Sequence, residues 1–234
     1  MKNLYIGVIM NQTRLDIFKN SLLATGGLMT FAVAAYLTIQ ANIGVNPWDT
    51  FCIGLSEKLG ILYGTASITI SFSVIALDLL LKEKIGIGTI LDAIVVGKTV
   101  DLLNWLNLIP KQENVIIGVI MLLLGCLIAS FSQYLYMKAG LSCGPRDGFQ
   151  IAIGRRLHMI PIGCVNVIIL SVVLVIGWLL DGPIGIGTLL APFLMGFTQQ
   201  FAFNLIKFEP KDVVHLDLFG SLKILFGKTH QKEN

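Results

Sequence analysis

The segment Ala41-Asn-Ile-Gly-Val-Asn-Pro-Trp-Asp-Thr-Phe-Cys-Ile53 returns as Ala139-Gly-Leu-Ser-Cys-Gly-Pro-Arg-Asp-Gly-Phe-Gln-Ile151, and Ile85-Gly-Ile-Gly-Thr89 returns unchanged as Ile184-Gly-Ile-Gly-Thr188. The offsets are 98 and 99 residues, so the later half has gained one residue between the two motifs. A sequence that repeats itself at such a period is built from two copies of one supersecondary unit. Apolar stretches of membrane-spanning length surround both motifs, and duplicated membrane units are the usual scaffold of secondary transporters.

The solvent of this chain is lipid. Of its 234 residues 55% are hydrophobic and only 13% are charged, with a mean hydropathy of +0.79, which leaves too little polar surface to coat a water-soluble globule. The start, Met1 to Met10, lacks the small residues of an export cleavage site, since Asn11-Gln-Thr-Arg14 follows, and is expected to stay attached. Cys52, Cys126, Cys143 and Cys164 show no metal-ligand spacing and read as small buried hydrophobes. The net charge of +3 is dispersed along the chain, which speaks against a nucleic-acid partner.

A bilayer core of about 30 Å needs roughly 20 helical residues. Six segments meet or approach this: Ser21 to Gln40, Tyr63 to Leu81, Thr89 to Leu108, Asn114 to Met137, Gly163 to Leu180 and Thr188 to Lys207. With the N-terminus in the cytoplasm, only Lys58 and Lys111 fall outside and Lys98 lies within a span, so the positive-inside bias places both termini in the cytoplasm. The expected fold is an all-α polytopic bundle of six spans in a 3+3 inverted repeat. Its parts are a cytoplasmic N-terminal segment (1–20), a first membrane repeat (21–110), a second (111–207) and a cytoplasmic tail (208–234). Three spans per copy make the second copy enter the bilayer from the opposite side.

The residues between spans one and two far exceed a tight turn and need structure of their own. Pro47 suits the first turn of a helix, Asn46 the cap before it, and Asp49 the third position, where a carboxylate reaches back to free N–H groups. Trp48 to Leu59 is apolar at its start and charged at its end, and the second copy ends in Arg155-Arg156. This gradient predicts two re-entrant half-helices whose N-termini, at Asn46-Pro47-Trp48-Asp49 and Gly144-Pro145-Arg146-Asp147, approach near the midplane and present positive dipole ends to a solute. The alternative is a pair of interfacial helices in which Pro and Asp act only as punctuation. Arg146, standing where the first copy has Trp48, either binds a carboxylate or phosphate in bidentate fashion or pairs with a neighbouring Asp.

Ionisable groups within spans face a cavity or a partner. Lys98 and Asp101 are spaced to form an internal salt bridge, and with Asp92 they make a charge network or an ion-coupling site. Asp78 is a weaker candidate, because Lys82 one turn later neutralises it. In the last span Gln199 and Gln200 are candidate solute contacts. Gly86, Gly88 and Thr89, with Gly185, Gly187 and Thr188, read as tight turns with a helix cap, or as hinges. They do not have the spacing of a phosphate loop. No nucleophile and base occur with recognisable spacing, so neither an enzyme nor a cofactor is expected.

The Gly-x-Asn/Gly-Pro-x-Asp segment after the first span, the Ile-Gly-x-Gly-Thr turn and the repetition of both resemble the YczE/YyaS/YitT group of bacterial integral membrane proteins, closest to the YczE branch, over about residues 20–207. The resemblance implies a bacterial plasma-membrane protein of five or six spans and implies little about mechanism. The resemblance carries over no role of the soluble C-terminal domain of YitT-like members to this chain's tail, whose Val213 to Phe226 is apolar enough to lie on the inner leaflet. The function expected is secondary transport of a small polar or anionic metabolite. A passive pore and a substrate-capturing or accessory subunit of a larger complex are the alternatives. Besides the bilayer and the solute, a second copy or a partner membrane subunit is a candidate contact, because small residues such as Gly26, Gly27 and Gly125 permit close helix packing either within one chain or between chains.

Overall fold

Thr13 opens the first helix of the computed structural model with a capping box. Its hydroxyl accepts from the Asp16 N–H, while the Asp16 carboxylate accepts from the Thr13 N–H and O–H at 2.8 and 2.7 Å. The structure describes residues 13–157, 159, 162–209, 213 and 215–226. Among them every regular element is a helix: α1 (Arg14–Gln40), α2 (Pro47–Leu59), α3 (Tyr63–Leu80), α4 (Ile87–Leu106), α5 (Val115–Lys138), α6 (Pro145–Arg156), α7 (Ile162–Leu179), α8 (Ile186–Ile206) and α9 (Leu218–Phe226). Most of the expected N-terminal segment, His158 and the end of the tail lie outside the described residues.

Four helices, α1, α3, α5 and α8, are long and apolar enough to cross a membrane. In α4 the charges of Asp92, Lys98 and Asp101 interrupt the apolar run, and the apolar stretch of α7, Cys164–Leu179, is shorter. Large apolar side chains point outward, among them Ile116, Val167, Phe193 and Phe197, the last 75% exposed. A water-soluble monomer does not carry such a continuous apolar surface, and this is the outer face of a multi-pass membrane protein.

Helices α1 and α5 are the central pair, and glycines set their closeness. A Cβ at Gly27 would stand 2.9 Å from the Tyr136 N, one at Gly125 2.6 Å from the Thr38 side chain and one at Gly118 2.7 Å from the Ala41 O. The contacts run upward in number along α1 and downward along α5, so the two helices are antiparallel and pack backbone to backbone at small residues. Gly26, beside this seam, faces open space. Around the pair, α4 packs on α1 and α8 on α5, while α2 packs on α7 and α6 on α3. One buried cluster joins α2 to its neighbours through Trp48, Cys52, Tyr63, Ile70, Val100, Val165 and Ile169.

The tail departs from expectation. It does not simply lie against a leaflet: the Leu216 N–H donates to the Gly140 O at 2.8 Å, the Leu218 N–H to the Ile85 O at 2.7 Å, and Leu216 and Ser221 are fully buried. Two inward backbone bonds and a buried leucine tie it to the protein, since unpaired backbone groups at this junction would be costly.

Candidate functional site

Each extended segment before a half-helix is bent by left-handed residues at matching places. Asn42 (φ 54°) and Gly44 (φ 102°) in the first correspond to Gly140 (φ 67°) and Ser142 (φ 84°) in the second. The bends let each segment grip the turn of the other half. The Gly187 N–H donates to the Ile43 O at 2.7 Å and the Gly88 N–H to the Leu141 O at 2.8 Å. Thr89 also donates its hydroxyl to the Cys143 O at 2.7 Å. Thr89 and Thr188 accept from the Gly86 and Gly185 N–H groups, as helix caps should. The Gly-Ile-Gly-Thr motifs are therefore more than local turns: Gly88, Thr89, Gly185 and Gly187 form crossed latches between halves, and the bare Cα atoms of the three glycines allow the approach.

These latches aim the N-termini of α2 and α6 at each other. Asn46 caps α2, its Oδ1 accepting the Trp48 N–H at 3.1 Å, and Pro47 and Pro145 fill the first helical position of their helices. With Asn46 capping, Asp49 does not reach back to the backbone as expected. It is 8% exposed, accepts the Tyr63 hydroxyl at 2.9 Å and pairs with Arg146 at 3.7 Å. Arg146 lies over the Trp48 ring, 5.2 Å from its centroid, and its Nη2 is 3.5 Å from the Ser67 Oγ and 3.6 Å from the Cys52 Sγ. Asp147 accepts the Tyr136 hydroxyl at 3.1 Å. The twin motifs thus meet through a guanidinium from one half and a carboxylate from the other.

They meet at the wall of a cavity of about 520 Å³. Asn46, Trp48, Asp49, Gly144, Arg146 and Asp147 border it, Asp92 enters from α4, Gln133 and Tyr136 from α5 and Gln199 from α8. A volume of this size suits a small-molecule ligand. Gln200 is not there: it is exposed and donates to Asn204 at 2.8 Å.

The expected charge network is split up. The Asp101 Oδ1 accepts the Gly64 N–H at 2.6 Å, in the first turn of α3, where a carboxylate satisfies a free donor, while Lys98 is exposed and forms no ion pair among the described residues. Replacing Asp101 by Ala is accordingly expected to destabilise the protein by about 1–2 kcal/mol, the size of a lost helix cap. Lys98→Ala is expected to change stability by less than about 0.5 kcal/mol. Thermal unfolding of both variants in detergent checks this, and equal losses would restore the Lys98–Asp101 pair. Asp78 likewise has no bond to Lys82: it is 2% exposed and packed against Gly148 of α6, with its Oδ1 unpartnered.

Residue patterns alone had not marked Tyr63, Tyr136, Ser67 or Gln133. Their signal was available: a buried tyrosine hydroxyl needs a partner, and a glutamine in the apolar run of α5 is costly unless it faces a cavity.

Three relatives share most of the chain. An uncharacterized protein of Haemophilus influenzae (strain ATCC 51907 / DSM 11121 / KW20 / Rd) is 30% identical over 173 residues, 73% of this chain and 77% of its own. The uncharacterized membrane protein YczE of Bacillus subtilis (strain 168) is 29% identical over 182 residues, 75% of this chain and 81% of its own. The uncharacterized protein YyaS of the same strain is 28% identical over 175 residues, 73% of this chain and 85% of its own. No solved structure matches. The family of unknown function DUF6198 matches residues 18–204, from within α1 to near the end of α8 and so across the whole cavity, and the chain belongs to that family.

Proposed function

We propose that this protein is a secondary transporter of a small polar solute in the bacterial plasma membrane, working by alternating access. In this reading α1, α3, α4, α5, α7 and α8 cross the bilayer, α2 and α6 enter it halfway, and both termini are cytoplasmic. The observation that carries the reading is the meeting of the two twin motifs, Asp49 with Arg146, at the wall of one cavity. Three further features support it. The antiparallel α1 and α5 are the first long helices of the two copies, as an inverted repeat requires. The packing exchanges halves, α2 on α7 and α6 on α3. The membrane name of the YczE relative agrees with the apolar outer face.

Non-helical backbone at membrane depth is tolerated where protein covers it, and the crossed latches provide that cover. Rocking one half against the other would then open the Arg146–Asp49 contact towards alternate sides. Solute counterflow in proteoliposomes tests the proposal. Saturable exchange that falls at least about tenfold in Asp147→Asn is expected, by analogy with loss of a buried polar contact to a ligand. Flux rising linearly without saturation would indicate a pore instead, and no flux across a broad panel of metabolites would remove the transport reading.

A further inference from the structure

The cavity brings together more carboxyl groups than cationic ones. One guanidinium, that of Arg146, shares it with the carboxylates of Asp49, Asp92 and Asp147. Arg146 is already engaged with the first half, pairing with Asp49 at 3.7 Å and lying over Trp48. Asp147 accepts a hydrogen bond from the neutral Tyr136 hydroxyl and Asp92 has no hydrogen bond or ion pair among the described residues, so the Arg146 charge reaches both only without direct contact. Isolated carboxylates away from bulk water are costly unless a cation or proton joins them.

Their geometry marks one spot. The Asp92 Oδ2 fills the space that a Cβ on Gly144 would take, and the Asp147 Oδ2 stands 3.8 Å from the same point, so the two carboxylates lie side by side at the N-terminus of α6. The first half carries Asn46 at the matching position, where its side chain caps α2; the glycine lets the Asp92 carboxylate close against the start of α6. A separate observation concerns Gln133, which borders the same cavity: its Oε1 is buried and has no donor. Three acceptors therefore border the cavity with no donated bond from a cationic group. An ammonium supplies three donors and one positive charge. A cavity of 520 Å³ has room for the carbon skeleton of an organic amine as well as its ammonium group.

We propose that the cavity binds a small organic solute through its protonated amino group, held between Asp92 and Asp147 on the side of Gln133. This rests on reading the cavity as the solute site, though not on the transport cycle, and it turns the expectation of an anionic solute towards a cationic or zwitterionic one.

The test uses the full-length protein in an uncharged detergent at fixed ionic strength, with four four-carbon probes: butylamine, 4-aminobutanoate, succinate and 1,4-butanediol. Butylamine, 4-aminobutanoate or both should raise the apparent melting temperature by roughly 2–5 °C at saturating concentration. Succinate and butanediol should not. Asp92→Asn and Asp147→Asn should each weaken the amine's affinity by at least about tenfold, as truncation of a desolvated charge pair does. A shift by 4-aminobutanoate alone identifies a zwitterion, with Arg146 holding the carboxylate.

The proposal is overturned if succinate matches the amines, if no probe shifts the protein, or if amine affinity is unchanged in both variants. Should a variant fail to fold, the ranking of the four probes on the unmodified protein decides. Amine binding without saturable amine flux would remove the transport reading and leave this one standing. Saturable succinate flux without amine binding would do the reverse.

Discussion

Arg146→Ala is expected to lower the unfolding free energy by about 3 kcal/mol. The guanidinium is the cationic partner of Asp49, whose side chain is almost fully buried and otherwise has only the Tyr63 hydroxyl. Removing one member of a buried pair strands the other, typically at about 3–5 kcal/mol. The lower end applies here, because the Arg146 side chain keeps 27% of its surface open to the cavity and the 3.7 Å separation is long. Arg146→Lys should recover less than half of the loss, since an ammonium cannot lie flat on Trp48 while also addressing Ser67 and Asp49. The measurement is a double-mutant cycle of Arg146→Ala with Asp49→Asn, read by thermal or denaturant unfolding in detergent. A coupling energy of at least about 1 kcal/mol is expected for such neighbours. Coupling near zero would mean that the two halves are not joined at this point.

The long helices were legible because lipid imposes a simple demand, and six apolar runs predict α1, α3, α4, α5, α7 and α8 within about two residues at most ends. The exception is instructive. Helix α1 starts at Arg14 and not at Ser21, because hydropathy reports where the lipid starts, whereas the Thr13–Asp16 capping box determines where the helix starts. Proline and charge gradient located α2 and α6 equally well.

What the sequence left dark was partnership across distance. Asn46 is legible as the cap of α2, and only the fold shows that Asp49 turns to Tyr63 and Arg146 instead of back to the free backbone N–H groups. Lys98 and Asp101 satisfy the helical spacing rule, yet α3 brings the Gly64 N–H to Asp101. The crossed latches are backbone-to-backbone bonds, and apart from bare glycines such contacts leave no side-chain signature to read. The candidate site is thus half visible: its two motifs stand out as repeats, while Asp92, Gln133 and the tyrosines join them only through packing.

Gly44→Ala is expected to destabilise the protein by about 2–4 kcal/mol, combining an overpacking penalty with a backbone angle that residues with a Cβ resist. At φ 102°, a Cβ on Gly44 would stand 2.6 Å from both the Gly185 N and the Thr188 Oγ1. Neither neighbour is free to yield, because the Gly185 N–H is bonded to the Thr188 hydroxyl and the adjacent Gly187 N–H to the Ile43 O. The substitution therefore has to part the latch itself, and with it the placement of Asn46 and the α2 N-terminus. Gly26→Ala is the matched control: its Cβ meets nothing within 4 Å, and in mid-helix the same exchange should stabilise by about 0.5–1 kcal/mol. Opposite signs for two Gly→Ala changes separate the latch from a general effect of added methyl groups. Thermal unfolding of both variants reads the signs, and equal shifts would mean that the first segment and the second turn do not grip each other as the backbone bonds require.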